Sequence, residues 1–277
     1  MKYLTLILND GGGLGKSELA KLLVDLTRSV GGRSVGVFDG DPKNHSLLTV
    51  CGERDANGAL LDPEKNDLLT GCRTIDLRDP EKSSAEMIKA LEEIQPDLLL
   101  ADGAGGSAQN LGLMIMKSGT PEEFVGLLEE LGYTLILASP QIPQDGGKTI
   151  EALSSTKRLV DQYVVFANVH FHIALNRWNG DLDDIDHRFD YWFNSTTRKT
   201  LLDVGKLSET KIVELPSEVM SVTSAVPVPY SRFIDPEFAR VAQISIRPRM
   251  AIKKHRDLFR SQVEADPVLK KAYLGIA

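Results

Sequence analysis

Gly11, Gly12, Gly13, Leu14 and Gly15 put four glycines into five positions, between an apolar run from Tyr3 to Leu8 and a helical pattern from Lys16 to Val30. The first run reads as a buried strand. The second places Leu19, Leu22, Leu23 and Leu26 on one face and stops at Gly31-Gly32. A strand passed through a glycine turn into a helix is the opening half of a βα unit, and few folds begin that way.

The same alternation continues along the chain. Short apolar runs at Ser34 to Phe38, Asp97 to Ala101, Tyr133 to Ala138, Phe171 to Leu175 and Lys211 to Leu215 read as strands, with helical stretches near Pro121 to Leu131, Gly146 to Asp161 and Asp184 to Leu202. Strands that are apolar without alternation are buried on both faces, and helical crossovers return the chain in one direction. The predicted class is α/β: a three-layer, doubly wound, mostly parallel sheet. Ligands then bind beyond the carboxyl ends of the strands. Those ends carry Asn9 to Ser17, Asp39 to Asp41, Asp102 to Gly106, Ser139 to Gln144 and Asn176-Arg177.

With 277 residues, 42% of them hydrophobic, the chain can bury one large core. No apolar run approaches the roughly 20 residues of a membrane span. Met1 to Asn9 lacks the basic flank of a secretion signal, so the expected location is the cytoplasm. Cys51 and Cys72 have no metal-ligand spacing and are expected to be reduced. The net charge of −7 is uneven: 247–277 carries eight Lys/Arg against three Asp/Glu, a surplus of +5 that leaves −12 for the rest. We therefore expect a main domain at 1–246 and a basic helical extension at 247–277, either packed on the domain or extending from it.

Gly15-Lys16-Ser17 is the GK[ST] end of a P-loop, with Asp10 where the general pattern has its first glycine. Glycines at 11, 12, 13 and 15 let the backbone N–H groups, with that of Leu14, turn inward around phosphate oxygens, and the helix beginning at Lys16 adds its positive dipole end. Lys16 suits the β- and γ-phosphates, and Ser17 offers a hydroxyl to Mg²⁺. A dinucleotide-binding G-x-G-x-x-G loop fits less well, because Lys-Ser follows the glycines. The expected ligand is Mg-ATP, on Gly11 to Ser17 with Glu18 at the start of the helix.

Asp39-Gly40-Asp41-Pro42-Lys43-Asn44 stands 22 residues after Ser17, and Leu98 to Asp102 is an apolar strand ending on an aspartate before Gly103, Gly105 and Gly106. With the loop, these motifs resemble the deviant Walker family of ParA, MinD and the nitrogenase iron protein over roughly residues 1 to 245. The resemblance implies the P-loop NTPase type of the α/β class and slow hydrolysis of ATP to ADP and phosphate. It implies that Asp39 and Asp102 hold Mg²⁺ with Ser17, that Asp41 orients the attacking water, and that Asn176-Arg177 meets the base under a loop following Pro216. It further implies a nucleotide-dependent homodimer and a protein partner, or DNA reached through one. Loss of the signature lysine together with D-x-D-P-x-N looks most like the StbB/TraL-type plasmid stability and conjugal transfer proteins.

Two departures matter. Gly11 occupies the position of the family's signature lysine, which reaches the partner's nucleotide in dimers, and Gly103-Ala104-Gly105-Gly106 replaces the usual residues after the Walker B aspartate. Two other readings stay open: a metabolic ATP-dependent ligase or small-molecule kinase of dethiobiotin synthetase-like fold, and an ATP-binding scaffold with little hydrolysis. An Asp-rich turn is also an ordinary turn, with Asn44 capping a helix. His170 and His172 lack partners at ligand spacing, so no metal site is expected there. Phe189, Tyr191, Trp192 and Phe193 suit a core, or a partner-binding face.

Overall fold

The protein is described by a computed structural model covering residues 1–41, 44–76, 79–109 and 119–276. Pro42 and Lys43 of the Asp-x-Asp-Pro motif lie outside the described residues. The apolar runs become strands β1 (Lys2–Ile7), β2 (Val35–Gly40), β3 (Arg73–Thr74), β4 (Leu98–Gly103), β5 (Tyr133–Gln141), β6 (Val169–Trp178) and β7 (Leu207–Val213). They form one sheet in the order β3-β2-β4-β1-β5-β6-β7, and every neighbouring pair is parallel. The chain winds outward from β1 in both directions, so the crevice at the carboxyl end of β1 is the topological switch point where such sheets bind ligands.

The principal helices are α1 (Lys16–Val30), α2 (Ser46–Cys51), α3 (Pro80–Lys89), α4 (Pro121–Glu130), α5 (Gly146–Tyr163), α6 (Thr196–Asp203), α7 (Ser217–Ala225), α8 (Tyr230–Ile234), α9 (Pro236–Val241) and α10 (Ile246–Ala265). Strand side chains divide between two faces. Leu4, Leu6, Leu99, Leu135, Leu137 and Phe171 pack with Leu128 of α4 and Leu159 and Tyr163 of α5. Ile7, Val35, Val37, Leu98, Leu100 and Ile136 pack with Leu19, Leu22, Leu23 and Leu26 of α1. Full burial of each such side chain is worth about 1.5–3 kcal/mol, so the two layers together account for the three-layer architecture predicted above.

The basic C-terminal segment packs on the domain. Ile252, Phe259 and Val263 of α10, with Tyr273 beyond it, join the α1 side of the core. Arg256 Nε meets the buried carboxylate of Asp25 on α1 at 2.5 Å. Gln262 Oε1 accepts from Lys211 N at 2.7 Å and its Nε2 donates to Lys211 O at 2.9 Å, so both outward main-chain groups of that residue on the edge strand β7 are satisfied. Among the described residues, no helix is long and apolar enough to cross a membrane.

Two local expectations need correction, and one short strand was not predicted. β7 begins at Leu207, four residues before the predicted start, because an edge strand alternates buried and half-buried residues and carries no continuous apolar run. The predicted helix from Asp184 to Leu202 is broken: Asp186 caps a short turn by accepting from Arg188 N, and Ser195 Oγ accepts from Arg198 N to start α6 afresh. β3 has two residues, too few for any periodicity to show.

Candidate functional site

The phosphate loop is tied down from below. Asn9 is fully buried; its Nδ2 donates to Ser139 Oγ at 3.0 Å and, at 3.3 Å, to the carbonyls of Pro140 and Ala152, while its Oδ1 accepts from Gly11 N at 3.2 Å. Asp10 joins three segments. Its backbone N–H donates to Ser155 Oγ, its carbonyl accepts from Gly106 N at 3.0 Å, and its carboxylate accepts from Gln109 N and pairs with Arg158 of α5. The residue that breaks the general P-loop pattern thus links the loop to the stretch after β4.

Within the loop, Gly13 and Gly15 have φ of 73° and 93°, which side chains with a Cβ rarely adopt. A Cβ on Gly15 would come within 1.9 Å of Asn176 Nδ2. Gly15 caps the N-terminus of α1 and, having no side chain, makes no cap bond to the amides there. Lys16 is buried, and its Nζ donates to the carbonyls of Asn9 (3.0 Å) and Gly11 (2.8 Å). Burial pushes its pKa down, opposed by Asp102, Asp10 and Asp41. Held by carbonyls and by no carboxylate at ion-pair distance among the described residues, this ammonium is suited to phosphate oxygens. Gly11 lies beside Leu14, whose Cδ1 is 2.6 Å from where a Cβ would sit, and 3.4 Å from Glu151 Oε2 by the same measure.

The aspartates differ more than their motifs suggest. Asp39 and Asp102 are register partners on β2 and β4. Asp39 Oδ2 accepts from Leu47 N (2.9 Å) and Leu48 N (2.8 Å), and Oδ1 from Asp41 N (2.9 Å). Asp39 therefore satisfies the first amides of α2, whereas Asn44, expected to cap that helix, donates to the Asp41 carboxylate instead. The correction follows from His45, which has a left-handed φ of 45° between Asn44 and the helix. Asp102 is 1% exposed; the Ser17 hydroxyl lies close to it, yet neither carboxylate oxygen has a partner at full hydrogen-bond geometry among the described residues. Burial pushes its pKa up to about 7, with the nearby Ser17 hydroxyl and Lys16 pulling it down and Asp39 adding to the rise. An orphaned buried carboxylate beside a serine hydroxyl at the end of a phosphate loop has the donor chemistry for a hydrated Mg²⁺.

On the other flank, Asn176 Nδ2 donates to Leu14 O at 3.0 Å and its Oδ1 accepts from Arg177 N. It braces the loop, and Arg177 adopts a left-handed φ of 59° at the same strand end. A cleft of about 1120 Å³ runs from Gly12–Ser17 past Asp41, Asn44, Asn176 and Arg177 to Glu214, Leu215 and Met220. Gly12 to Ser17, part of each flanking motif and the strand end thus open on one cavity, while the predicted metal residues Asp39 and Asp102 are buried and do not line it. Glu18, Lys21, Tyr230 and His255 line it as well. Burial raises the pKa of Glu18, but hydrogen bonds from His255 and Tyr230 outweigh that and leave the carboxyl below its ordinary value.

A MinD cell division protein from Aquifex aeolicus superposes with a TM-score of 0.50 at 14% identity, covering 96% of this chain and 98% of that one. A MinC:MinD cell division protein complex from the same organism gives 0.50 at 15% identity over 96% and 98%. Apo McdA from Cyanthece gives 0.50 at 14% over 92% and 99%. The chain shares their fold. No family model matches the sequence, and no curated protein does either.

The features set aside fall into the core. His170 Nε2 bonds with Ser208 Oγ, and His172 bridges Thr210 Oγ1 and Tyr273 OH. Among the described residues no cluster of His, Cys, Asp and Glu is arranged to hold a metal. Phe189 and Trp192 are fully buried, with Phe189 stacked on Trp178, so the aromatic cluster builds the interior. Both cysteines are buried and free. Sequence reasoning passed over the anchoring role of Asn9 and Asp10 and the arrival of Tyr230 and His255 at the cleft. Asn9 carried a signal, since a polar residue at the end of an apolar strand is buried only when its hydrogen bonds are met; the other two come from distant parts of the chain.

Proposed function

We propose that the chain is a Mg-ATP-binding switch of the ParA/MinD kind that hydrolyses ATP slowly to ADP and phosphate. The observation that carries this reading is the orphaned, buried Asp102 carboxylate beside Ser17 and Lys16, two residues that line one cleft with Asp41. In this reading the amides of Gly11 to Ser17 and the Lys16 ammonium hold the β- and γ-phosphates. Ser17, Asp39 and Asp102 hold Mg²⁺ with its water shell, and the ion, when bound, supplies charge neutralisation at those phosphates. Asp41 accepts a hydrogen bond from the attacking water and orients it, and Asn176-Arg177 borders the base. Asp39 must share its carboxylate with α2, so Asp102 is the freer metal partner.

The biological setting we favour is plasmid or DNA maintenance, partition or conjugal transfer, with a nucleotide-dependent homodimer and a protein partner, or DNA reached through one. ATP turnover and sedimentation, with and without DNA, for wild type, Lys16→Ala and Asp41→Ala test it. Loss of binding in Lys16→Ala and of turnover alone in Asp41→Ala is expected; turnover that requires a small metabolite would point to a ligase or kinase instead. Gly11 favours a second reading, an ATP-binding scaffold with little hydrolysis, in which Gly11→Lys changes turnover or self-association more than affinity.

A further inference from the structure

Glu18 sits in the first turn of α1, one residue past Ser17, where a carboxylate is favoured by the helix dipole but shares that positive end with any bound phosphate. Its Oε1 is approached by two groups from the C-terminal part of the chain, Tyr230 OH at 2.5 Å and His255 Nε2 at 3.3 Å. The two rings meet edge to face with centroids 5.8 Å apart, and His255 is 5% exposed.

Both donors are fixed by one other carboxylate. Asp25 lies seven residues beyond Glu18, two helical turns along the same face of α1. Its Oδ1 accepts from Ser231 N at 2.8 Å and its Oδ2 from Arg256 Nε at 2.5 Å. The residue after each donor is therefore locked to α1, and Tyr230 and His255 have little freedom to follow Glu18 elsewhere.

We infer that Tyr230 and His255 are positioning residues that hold the Glu18 carboxylate away from the phosphate seat, making the C-terminal helix a determinant of nucleotide affinity. The inference rests on the nucleotide-binding reading of the cleft. Without the two donors, Glu18, which Lys21 on the same helix also attracts, is released to bring its negative charge closer to the polyphosphate. The charge is present in either position, so the effect is a difference between two distances: moving it from about 10 to about 7 Å, at an effective dielectric near 20, weakens binding by roughly threefold.

The test is Mg-ADP affinity by calorimetry in the full chain. Tyr230→Phe/His255→Ala is expected to bind roughly threefold more weakly than wild type, and adding Glu18→Gln to recover that loss, because it removes the charge the donors restrain. Tyr230→Phe alone, which deletes one hydroxyl, is expected to show a smaller loss with the same recovery, and keeps the test intact if the double variant does not fold. Unchanged affinity, or a loss that Glu18→Gln does not recover, overturns the inference while leaving nucleotide binding in place. A wild-type chain that fails to bind Mg-ADP overturns both.

Discussion

Asp39 and Asp102 face each other in register at the ends of neighbouring strands, yet one carboxylate accepts three backbone hydrogen bonds and the other, among the described residues, accepts none. Burial raises the pKa of both, but only at Asp39 do backbone N–H groups offset it, so two aspartates that sequence alone treats as equivalent differ in what their removal leaves behind.

Replacing Asp102 exposes its half of that contrast. A buried carboxylate without partners destabilises the fold that contains it, so Asp102→Asn is expected to raise the urea midpoint of the nucleotide-free protein, by about 1 kcal/mol in stability. The same substitution is expected to weaken the Mg²⁺ dependence of ADP binding. A lower midpoint together with unchanged Mg²⁺ dependence would mean that the orphan has no role in the site.

Asp39→Ala is expected to behave in reverse. Removing the acceptor of the first α2 amides costs about 1–2 kcal/mol, in the range of lost helix caps, and leaves buried N–H groups unpaired. Urea denaturation of Asp39→Ala beside Asp41→Ala separates the roles. The first is expected to lose stability, and the second, whose carboxylate accepts from Asn44 on a half-buried turn, to lose less.

The loop glycines are not interchangeable. Gly15→Ala forces a Cβ against Asn176 Nδ2 at a left-handed φ, whereas Gly12 has nothing within 4 Å of a Cβ. Phosphate binding, followed by ADP calorimetry, is expected to fall by at least an order of magnitude in Gly15→Ala and to change far less in Gly12→Ala.

The buried His172 predicts a pH dependence of folding. Burial pushes its pKa down to about 3, with Asp266 opposing and His170 adding to the fall. Between about 6.5 and 3 the unfolded chain binds a proton that the folded chain does not. The stability His172 contributes is thus complete above pH 6.5 and is lost as the pH falls, by up to about 2 kcal/mol at pH 5. Urea midpoints at pH 7.5 and 5.0 are expected to draw closer in His172→Gln; an unchanged gap would remove His172 as the cause.

The parallel sheet and its central strands were legible in the sequence because β1, β4 and β5 are buried on both faces and read as unbroken apolar runs. The phosphate loop was legible because its glycines and Lys16-Ser17 are contiguous. Edge elements were harder: β7 alternates, β3 is too short, and the stretch from Asp184 restarts at a serine cap. The cap on α2 escaped notice because Asp39 reaches it across eight residues, and Tyr230 and His255 reach the cleft through contacts more than 200 residues apart in the chain.

The pairing of Gln262 with both main-chain groups of Lys211 bears on how this protein is handled. A truncation after residue 246, which charge distribution alone would recommend, strips the cover from an outer strand and leaves its amide and carbonyl open to a strand from another molecule. Preparations ending there are expected to self-associate through β7, since the deletion also uncovers the core that Ile252, Phe259 and Val263 close.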